Sequence, residues 1–420
     1  MPASAAPLPI LVRKYGGSSL ASVDRIGAVA RDLAAKRAGG CRLVVVVSAM
    51  GRHTDELEHL ARQVSPQPPR RELDMLLSVG ERVSMSLLSM ALEVCGVPAI
   101  SLTGSQCGVI TDESHTEARI LEVRADRVRE ALDRGLVVVV AGFQGVSRQK
   151  EITTLGRGGS DATAVALAAA LGAERCEILK DVDGVFTADP HLIEGARRHD
   201  ALTYDEMAAV AEAGCEVVHP RAVAYAREHG VPLFVGSSFH DSPGTLIIPA
   251  ARADDRDAPV NPPSRLRPLS LVATDDVALL DLATDDPARF AGWRDAAAAA
   301  CRGDLFLGEW LEQGPGRCRW RVLHRAEPLA RVRDRLAPDA GGPGDAVRFR
   351  RGLTCLSLAG RPPANWVTVA CQVEALLADH AVAESEILAD GAVLRLLVRP
   401  EDASRLLQPL HDAYLAAETR

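Results

Sequence analysis

Thr153-Thr154-Leu155-Gly156-Arg157-Gly158-Gly159-Ser160-Asp161, followed at once by the small apolar run Ala162 to Leu171, is the stretch on which the reading of this chain turns. Its glycines let the backbone turn tightly and approach a ligand closely, while Arg157 and Asp161 set opposite charges where a helix begins. That combination describes an anion site with a charged organiser. Taken alone it also describes an ordinary loop ahead of a capped helix, so the flanking segments decide.

Upstream, Pro9 to Val12 is a short apolar strand that runs into Lys14-Tyr15-Gly16-Gly17-Ser18-Ser19, and Asp24 to Ala35 reads as a helix. Backbone N–H groups, two hydroxyls and a lysine in that order make a phosphate cradle, although the spacing is not that of a P-loop. A Gly-Gly turn with a surface lysine is the plainer alternative. Leu43 to Val47 has the β-branched character of a strand covered on both faces, and it ends at Ser48-Ala49-Met50-Gly51 with Thr54 and Asp55 close behind. Ligands in open α/β sheets bind beyond the carboxyl ends of strands, which puts Ser48 and Thr54 where a small polar substrate would lie. Glu72 to Val94 is predicted as one helix, carrying Gly80-Glu81-Arg82 on a face of small and apolar residues. Glu81 there could simply pair with Arg82.

The alternation continues with a strand at Val97 to Thr103, a helix near Ile120 to Arg134, and Leu136 to Val140 leading into Ala141-Gly142-Phe143-Gln144-Gly145. Cys176 to Leu179 leads into Lys180-Asp181-Val182-Asp183-Gly184-Val185-Phe186-Thr187-Ala188-Asp189-Pro190, and Asp205 to Glu212, His219 to His229, Leu233 to Val235 and Thr245 to Ile248 complete the region. Strands alternating with helices imply a mainly parallel sheet between helical layers. Around Pro249 to Pro268 the composition shifts to Asp, Arg and Pro, as in a linker. Beyond it two small α+β units repeat. Their elements are Leu269 to Ala273, Val277 to Ala283, Pro287 to Ala300, Leu305 to Gln313, Arg317 to His324 and Ala326 to Leu336, then Leu353 to Ala359, Pro363 to Asp379, Val382 to Leu388, Ala392 to Val398 and Pro400 to Ala417. Few nucleophilic or charged groups converge there, which points to interaction or ligand sensing rather than chemistry.

A chain of 420 residues is long enough for two or three domains. Its formal net charge of -8 argues against nucleic acid or an anionic membrane as the main partner. The nine cysteines lack the spacing of a metal site, and the start, Met1 to Ile10, lacks the pattern of a signal peptide, so reduced thiols in a cytoplasmic protein are expected. No apolar run approaches the roughly 20 residues of a membrane span.

Read together, Lys14 to Ser19, Ser48 to Asp55, Gly80-Glu81-Arg82, Gly142 to Gly145, Ile152 to Leu171, Val182 to Pro190 and His219-Pro220-Arg221-Ala222 resemble the aspartate kinases of the amino acid kinase superfamily, followed by paired ACT domains. The resemblance covers nearly the whole chain. It implies a three-layer αβα kinase domain over 8–250, a linker over 251–265, and ACT-like, ferredoxin-like domains over 266–340 and 346–420. It also implies phosphorylation of the side-chain carboxylate of L-aspartate with MgATP to give 4-phospho-L-aspartate, ATP and Mg²⁺ being the cofactors. By the resemblance, Lys14 contacts the transferred phosphoryl group and Asp161 orients the cations around it. Arg157 clamps the α-carboxylate and Glu81 takes the α-amino group, with Ser48, Thr54, Phe143 and Ser160 lining the pocket. Gly16, Gly17, Ser18, Ser19, Lys180, Asp181, Phe186 and Asp189 fall on the nucleotide side, and no protein metal ligand is expected. A homodimer or higher homo-oligomer through the ACT-like repeats, and an amino-acid effector, are the partners implied.

The nucleotide side departs from the family pattern. Lys180, Phe186, His191 and Glu216 stand where threonine, tyrosine, arginine and lysine are usual. In one reading Lys180 replaces the lost cation, as the uridylate kinases of the superfamily pair a nearby lysine with Val-Asp-Gly-Val-Phe. In the other, Glu216 faces the phosphates and the chain is a divergent paralogue, either a kinase for another amino-acid carboxylate or a non-catalytic regulatory homologue. Asp285-Asp286-Pro287-Ala288 also lacks the glycine usual in effector-binding ACT domains.

Overall fold

The computed structural model describes residues 8–250, 268–300, 308–314, 317–340, 342, 344–360 and 366–416. These form two compact units: residues 8–185, 198–204 and 217–250 in the first, and residues 186–197, 205–216 and the described residues from 268 onward in the second. The expected linker over 251–265 lies outside the described residues.

The elements up to residue 250 are, in chain order, β1 (Ile10–Tyr15), α1 (Val23–Ala38), β2 (Arg42–Val47), α2 (His53–Val64), α3 (Arg70–Leu77), α4 (Val79–Val94), β3 (Ala99–Leu102), β4 (Val109–Thr111), β5 (Ile120–Val123), α5 (Asp126–Asp133), β6 (Val137–Ala141), β7 (Gln144–Ser147), β8 (Ile152–Thr154), α6 (Gly159–Leu171), β9 (Arg175–Lys180), β10 (Ala201–Thr203), α7 (Tyr204–Glu212), α8 (Pro220–His229), β11 (Leu233–Ser237) and β12 (Thr245–Ile248). The main sheet has the order β10-β12-β11-β9-β1-β2-β6-β3. It is parallel apart from the β11–β12 pairing. Leu43 to Val47 and Val137 to Val140 are buried throughout, as strands covered on both faces must be.

Alternation along β1 assigns its side chains to two layers. Leu11 and Tyr15 join the core built with Ile26, Val29 and Leu33 of α1 and Leu88 and Leu92 of α4. Lys14 points to the opposite layer, where α6 packs on β1, β2 and β9. α6 is buried on nearly every side, which its alanine-rich sequence permits, and it stops at Gly172 in the left-handed conformation, φ 61°.

The α1 layer encloses a charged network. Arg13 Nε donates to Glu177 Oε2 at 2.7 Å and Arg13 Nη1 to the Tyr15 hydroxyl at 2.9 Å, and Arg13 also pairs with Asp32. Tyr15 Oη donates to Asp32 at 2.8 Å. This ties the two central strands to α1 through groups that are costly to bury singly.

Two local expectations are corrected. The helix predicted over Glu72 to Val94 is broken at Ser78 into α3 and α4, and the Ser78 carbonyl accepts from Gln144 Nε2 at 2.9 Å. The helix predicted near Ile120 to Arg134 begins only at Asp126. Ile120–Val123 is β5, which pairs with β4 and closes a four-stranded sheet, β5-β4-β7-β8, that the strand–helix alternation did not foretell.

The second unit contains β13 (Pro268–Thr284), α9 (Pro287–Ala300), β14 (Gly308–Gly314), β15 (Arg317–Arg325), α10 (Ala326–Leu336), β16 (Ala346–Gly360), α11 (Trp366–Asp379), β17 (Glu386–Asp390), β18 (Val393–Val398) and α12 (Pro400–Tyr414). Its six strands form one antiparallel sheet, β14-β15-β13-β16-β18-β17. The strands expected at Leu269 to Ala273 and Val277 to Ala283 are one continuous β13, with a register shift between Thr274 and Val277. β13 and β16 pair along both halves, so residues 268–274 lie against the part of β16 that pairs with β18 on its other side, while 277–284 pair with β15 as well as β16. The two repeats therefore share their longest strands. Residues 186–197 and 205–216 belong here because Ala188 and Ile193 join the core of α11 and α12, Leu271 N donates to Thr187 O at 2.7 Å, and Arg395 Nη2 donates to Glu212 O at 3.1 Å.

Arg13→Met leaves Glu177 paired with Arg175 alone through Oε1, with its Oε2 without the Arg13 donor, and is expected to destabilise the protein by about 3 kcal/mol. Arg13→Met/Glu177→Leu should recover part of that loss, both being read as shifts of the urea unfolding midpoint.

Candidate active site

Two adjacent parallel strands bring their carboxyl ends to the start of α6. Lys14 near the end of β1 places Nζ 2.7 Å from Asp161 Oδ1, and Lys180 at the end of β9 places Nζ 3.7 Å from Asp161 Oδ2. Lys14 and Asp161 are buried and Lys180 is half-buried. Burial alone would raise the Asp161 pKa. Lys14 and Lys180, with hydrogen bonds from Lys14 and the His219 backbone, outweigh it and hold the carboxyl well below the usual range. Burial lowers the Lys14 pKa, with Asp161 opposing the shift and Lys180 reinforcing it.

Gly16 completes the cradle. A Cβ there would lie 3.8 Å from Lys180 Cγ and 3.9 Å from Lys14 Nζ, so the bare backbone runs between the two lysine side chains. Gly17 is closed on its other side, where a Cβ would stand 2.9 Å from Gly51 O, so the β1 turn is held against the end of β2. Ser18 is exposed, whereas Ser19 is buried with its hydroxyl on Ser238 Oγ at 2.8 Å.

The glycine turn is fixed from several directions. Gly156 and Gly158 both adopt positive φ, 74° and 70°, which a residue with a Cβ tolerates poorly. Phe143, itself at φ 67°, accepts from Leu155 N at 2.9 Å and packs its ring beside Gly159. Ser160 sits against Gly142, where a Cβ would approach Ser160 Oγ to 2.9 Å. Asp74, which the sequence did not single out, is fully buried and accepts from Thr154 Oγ1 at 2.5 Å, Thr116 N at 2.9 Å and His115 Nδ1 at 2.6 Å. Gly156 then packs on Thr116 O. Four residues from three segments thus set the strand that delivers the turn, a relation no local pattern displays.

Glu81 is buried in the first turn of α4, accepts from Ala49 N at 3.2 Å through Oε1, and has no hydrogen-bond donor at Oε2. Burial, only partly offset by backbone N–H groups, raises its pKa to about 7. The Arg82 partnership open from sequence is not what holds it. Ser48 and Thr54 are half-buried beyond β2 and in the first turn of α2, and Arg157 is exposed on the turn.

The structure thus gathers Lys14, Gly16, Gly17, Asp161 and Lys180 at one point and joins Phe143, Arg157 and Ser160 to them through the turn. Asp181 follows Lys180 and is exposed. Phe186 and Asp189 fall in the second unit, as do His191 and Glu216. Asp189 Oδ1 accepts from His191 N at 2.8 Å, and the exposed Glu216 pairs with Arg325 at 2.8 Å.

The Amino acid kinase family matches residues 9–237. Aspartokinase of Thermus thermophilus is 53% identical over 249 residues, covering 59% of this chain and 62% of that protein. Aspartokinase of Mycobacterium tuberculosis is 54% identical over 242 residues, covering 57% of this chain and 58% of the relative. The chain therefore spans about three fifths of the length of the curated relatives it matches. Among solved structures, aspartate kinase from Synechocystis aligns with a TM-score of 0.54 and 35% identity over 98% of this chain and 70% of that one. Escherichia coli aspartokinase III in complex with aspartate and ADP aligns with a TM-score of 0.72 over 97% and 99% of the two chains, and at 23% identity it speaks for the fold alone.

Because the Glu81 pKa is raised above its ordinary 4.5 to about 7, the folded protein keeps a proton that the unfolded chain releases. The stability this provides is complete below pH 4.5 and is lost as pH rises through 7. Glu81→Gln is expected to stabilise the protein by about 3 kcal/mol at pH 8 and to leave it unchanged at pH 4, measured by urea unfolding at both values.

Proposed function

The chain belongs to the amino acid kinase family, and from that premise we propose that it is an aspartate kinase, transferring the terminal phosphoryl group of MgATP to the side-chain carboxylate of L-aspartate. The observation that carries this reading is the convergence of Lys14 and Lys180 on the buried Asp161 at the head of the glycine turn. The acceptor carboxylate is already an anion, so transfer needs no general base. It needs alignment and neutralisation of charge on the phosphate oxygens.

In this reading the lysine ammonium groups take that charge, Asp161 fixes where they stand, and the Gly16-Gly17 backbone admits the phosphates. Arg157 forks onto the α-carboxylate of aspartate, and Glu81 accepts from its α-ammonium through the Oε2 that lacks a donor. Ser48, Thr54, Phe143 and Ser160 line the pocket. Among the described residues no three Asp, Glu, His or Cys side chains form a metal cage. Mg²⁺ would be held by the phosphates and water, with the exposed Asp181 accepting from its water shell, an arrangement this ion favours. The ion, when bound, neutralises charge shared between the phosphates.

Two observations favour a catalyst over a non-catalytic homologue. Lys180 supplies a second cation at the cradle, and the Glu216 carboxylate is engaged by Arg325. We further infer a homo-oligomer formed through the second unit, whose sheet ends in the edge strands β14 and β17, with an amino-acid effector as a second ligand.

Purified protein with MgATP, L-aspartate and hydroxylamine should yield the hydroxamate that traps an acyl phosphate, and Asp161→Ala should abolish it. Lys180→Ala should lower turnover about 100-fold or more. A rate unchanged by that substitution would mean Lys180 does not serve the phosphates, and no hydroxamate from the parent protein would overturn the aspartate assignment.

A further inference from the structure

Two residues at the start of α8 hold the glycine turn at three points. The His219 backbone N–H donates to the Asp161 carboxylate. The His219 side chain packs onto the bare α-carbon of Gly158, where an added Cβ would lie 2.0 Å from Cγ and 2.4 Å from Cδ2. Arg221 Nη1 donates to Leu155 O at 3.1 Å. These contacts fall at the beginning, middle and end of the turn.

The histidine is itself fixed. Its Nδ1 accepts from Arg221 N at 3.2 Å, which caps α8 and leaves the ring proton on Nε2. Burial lowers its pKa, Asp161 opposes that shift, and the neighbouring cations Arg221, Lys180 and Arg157 reinforce it. The ring is therefore a neutral plate set among the charges of the cradle. The turn requires such support because Gly156, Gly158 and Gly159 have more backbone freedom than any other residue type, and an unsupported run would present Arg157 and Asp161 in many arrangements.

We propose that His219 is a positioning residue for phosphoryl transfer, holding the Leu155–Asp161 turn so that Arg157 and the lysine-paired Asp161 face substrate in one arrangement. The proposal rests on the kinase reading of the turn.

His219→Asn keeps an N-cap acceptor for α8 while removing the ring, and it separates bracing from helix capping. In the full-length variant the amides of Gly156 to Ser160 should exchange with solvent about 10-fold faster than in the parent protein. Turnover in the hydroxamate assay should fall about 10- to 100-fold, with KM for aspartate and ATP changed less than about threefold. The urea unfolding midpoint should be unchanged, whereas His219→Ala, which also loses the cap, should lower it. Parent-like exchange in His219→Asn would overturn the proposal, as would lost turnover that only tracks lost stability. If the parent protein makes no hydroxamate, the kinase reading fails, and the exchange rates still decide whether His219 holds the turn.

Discussion

Asp161 is almost wholly enclosed, and it is an anion there because Lys14 and Lys180 stand beside it. Desolvation works against every member of such a group, so each must be delivered to a fixed place by an element with no freedom of its own. Strands β1 and β9 meet that condition, being central, parallel and adjacent, and their carboxyl ends open at the same level. Helix α6 meets it from the other side, with small residues that let Asp161 in its first turn come close to the sheet.

The same central strands carry a second charged group on their opposite face. Arg13 and Glu177 are sequence neighbours of Lys14 and Ile178, yet they point toward α1, where Asp32 and Tyr15 complete the network. One face of β1 thus anchors a helix through paired charges, and the other offers a cation to Asp161 at the glycine turn. Alternation at a period of two separates the tasks without any insertion.

Glycines do their work in this site by removing side chains where elements must nearly touch. Gly17 admits the backbone of Gly51, Gly142 admits Ser160, and Gly158 admits the ring of His219. The cost is backbone freedom. It is offset by contacts made from outside the turn: Asp74 through Thr154 and Thr116, and the start of α8 through His219 and Arg221. A phosphate-type cradle is therefore only as well defined as the packing around it.

Much of this was legible in the sequence. The valine runs announced buried parallel strands, the glycine turns drew attention to Lys14 and Asp161, the family resemblance drew it to Lys180, and the composition change after residue 248 marked the α+β region. These features are local: a period, a spacing or a residue with one conformational use. What the sequence alone could not give depended on partners far away in the chain. Ser78 interrupts a run that reads as one helix, with its carbonyl taken by Gln144, and Ile120–Val123 is a strand because β4 lies beside it. β13 and β16 are shared between repeats through pairings that cross both halves. Asp74 and His219 were given no site role, although His219 stands in a motif that carries the resemblance, because the groups they hold lie 41 to 80 and some 60 residues distant. Propensity and motif are properties of a segment, whereas burial, pairing and the support of a strained turn are properties of its surroundings, and only tertiary structure supplies those.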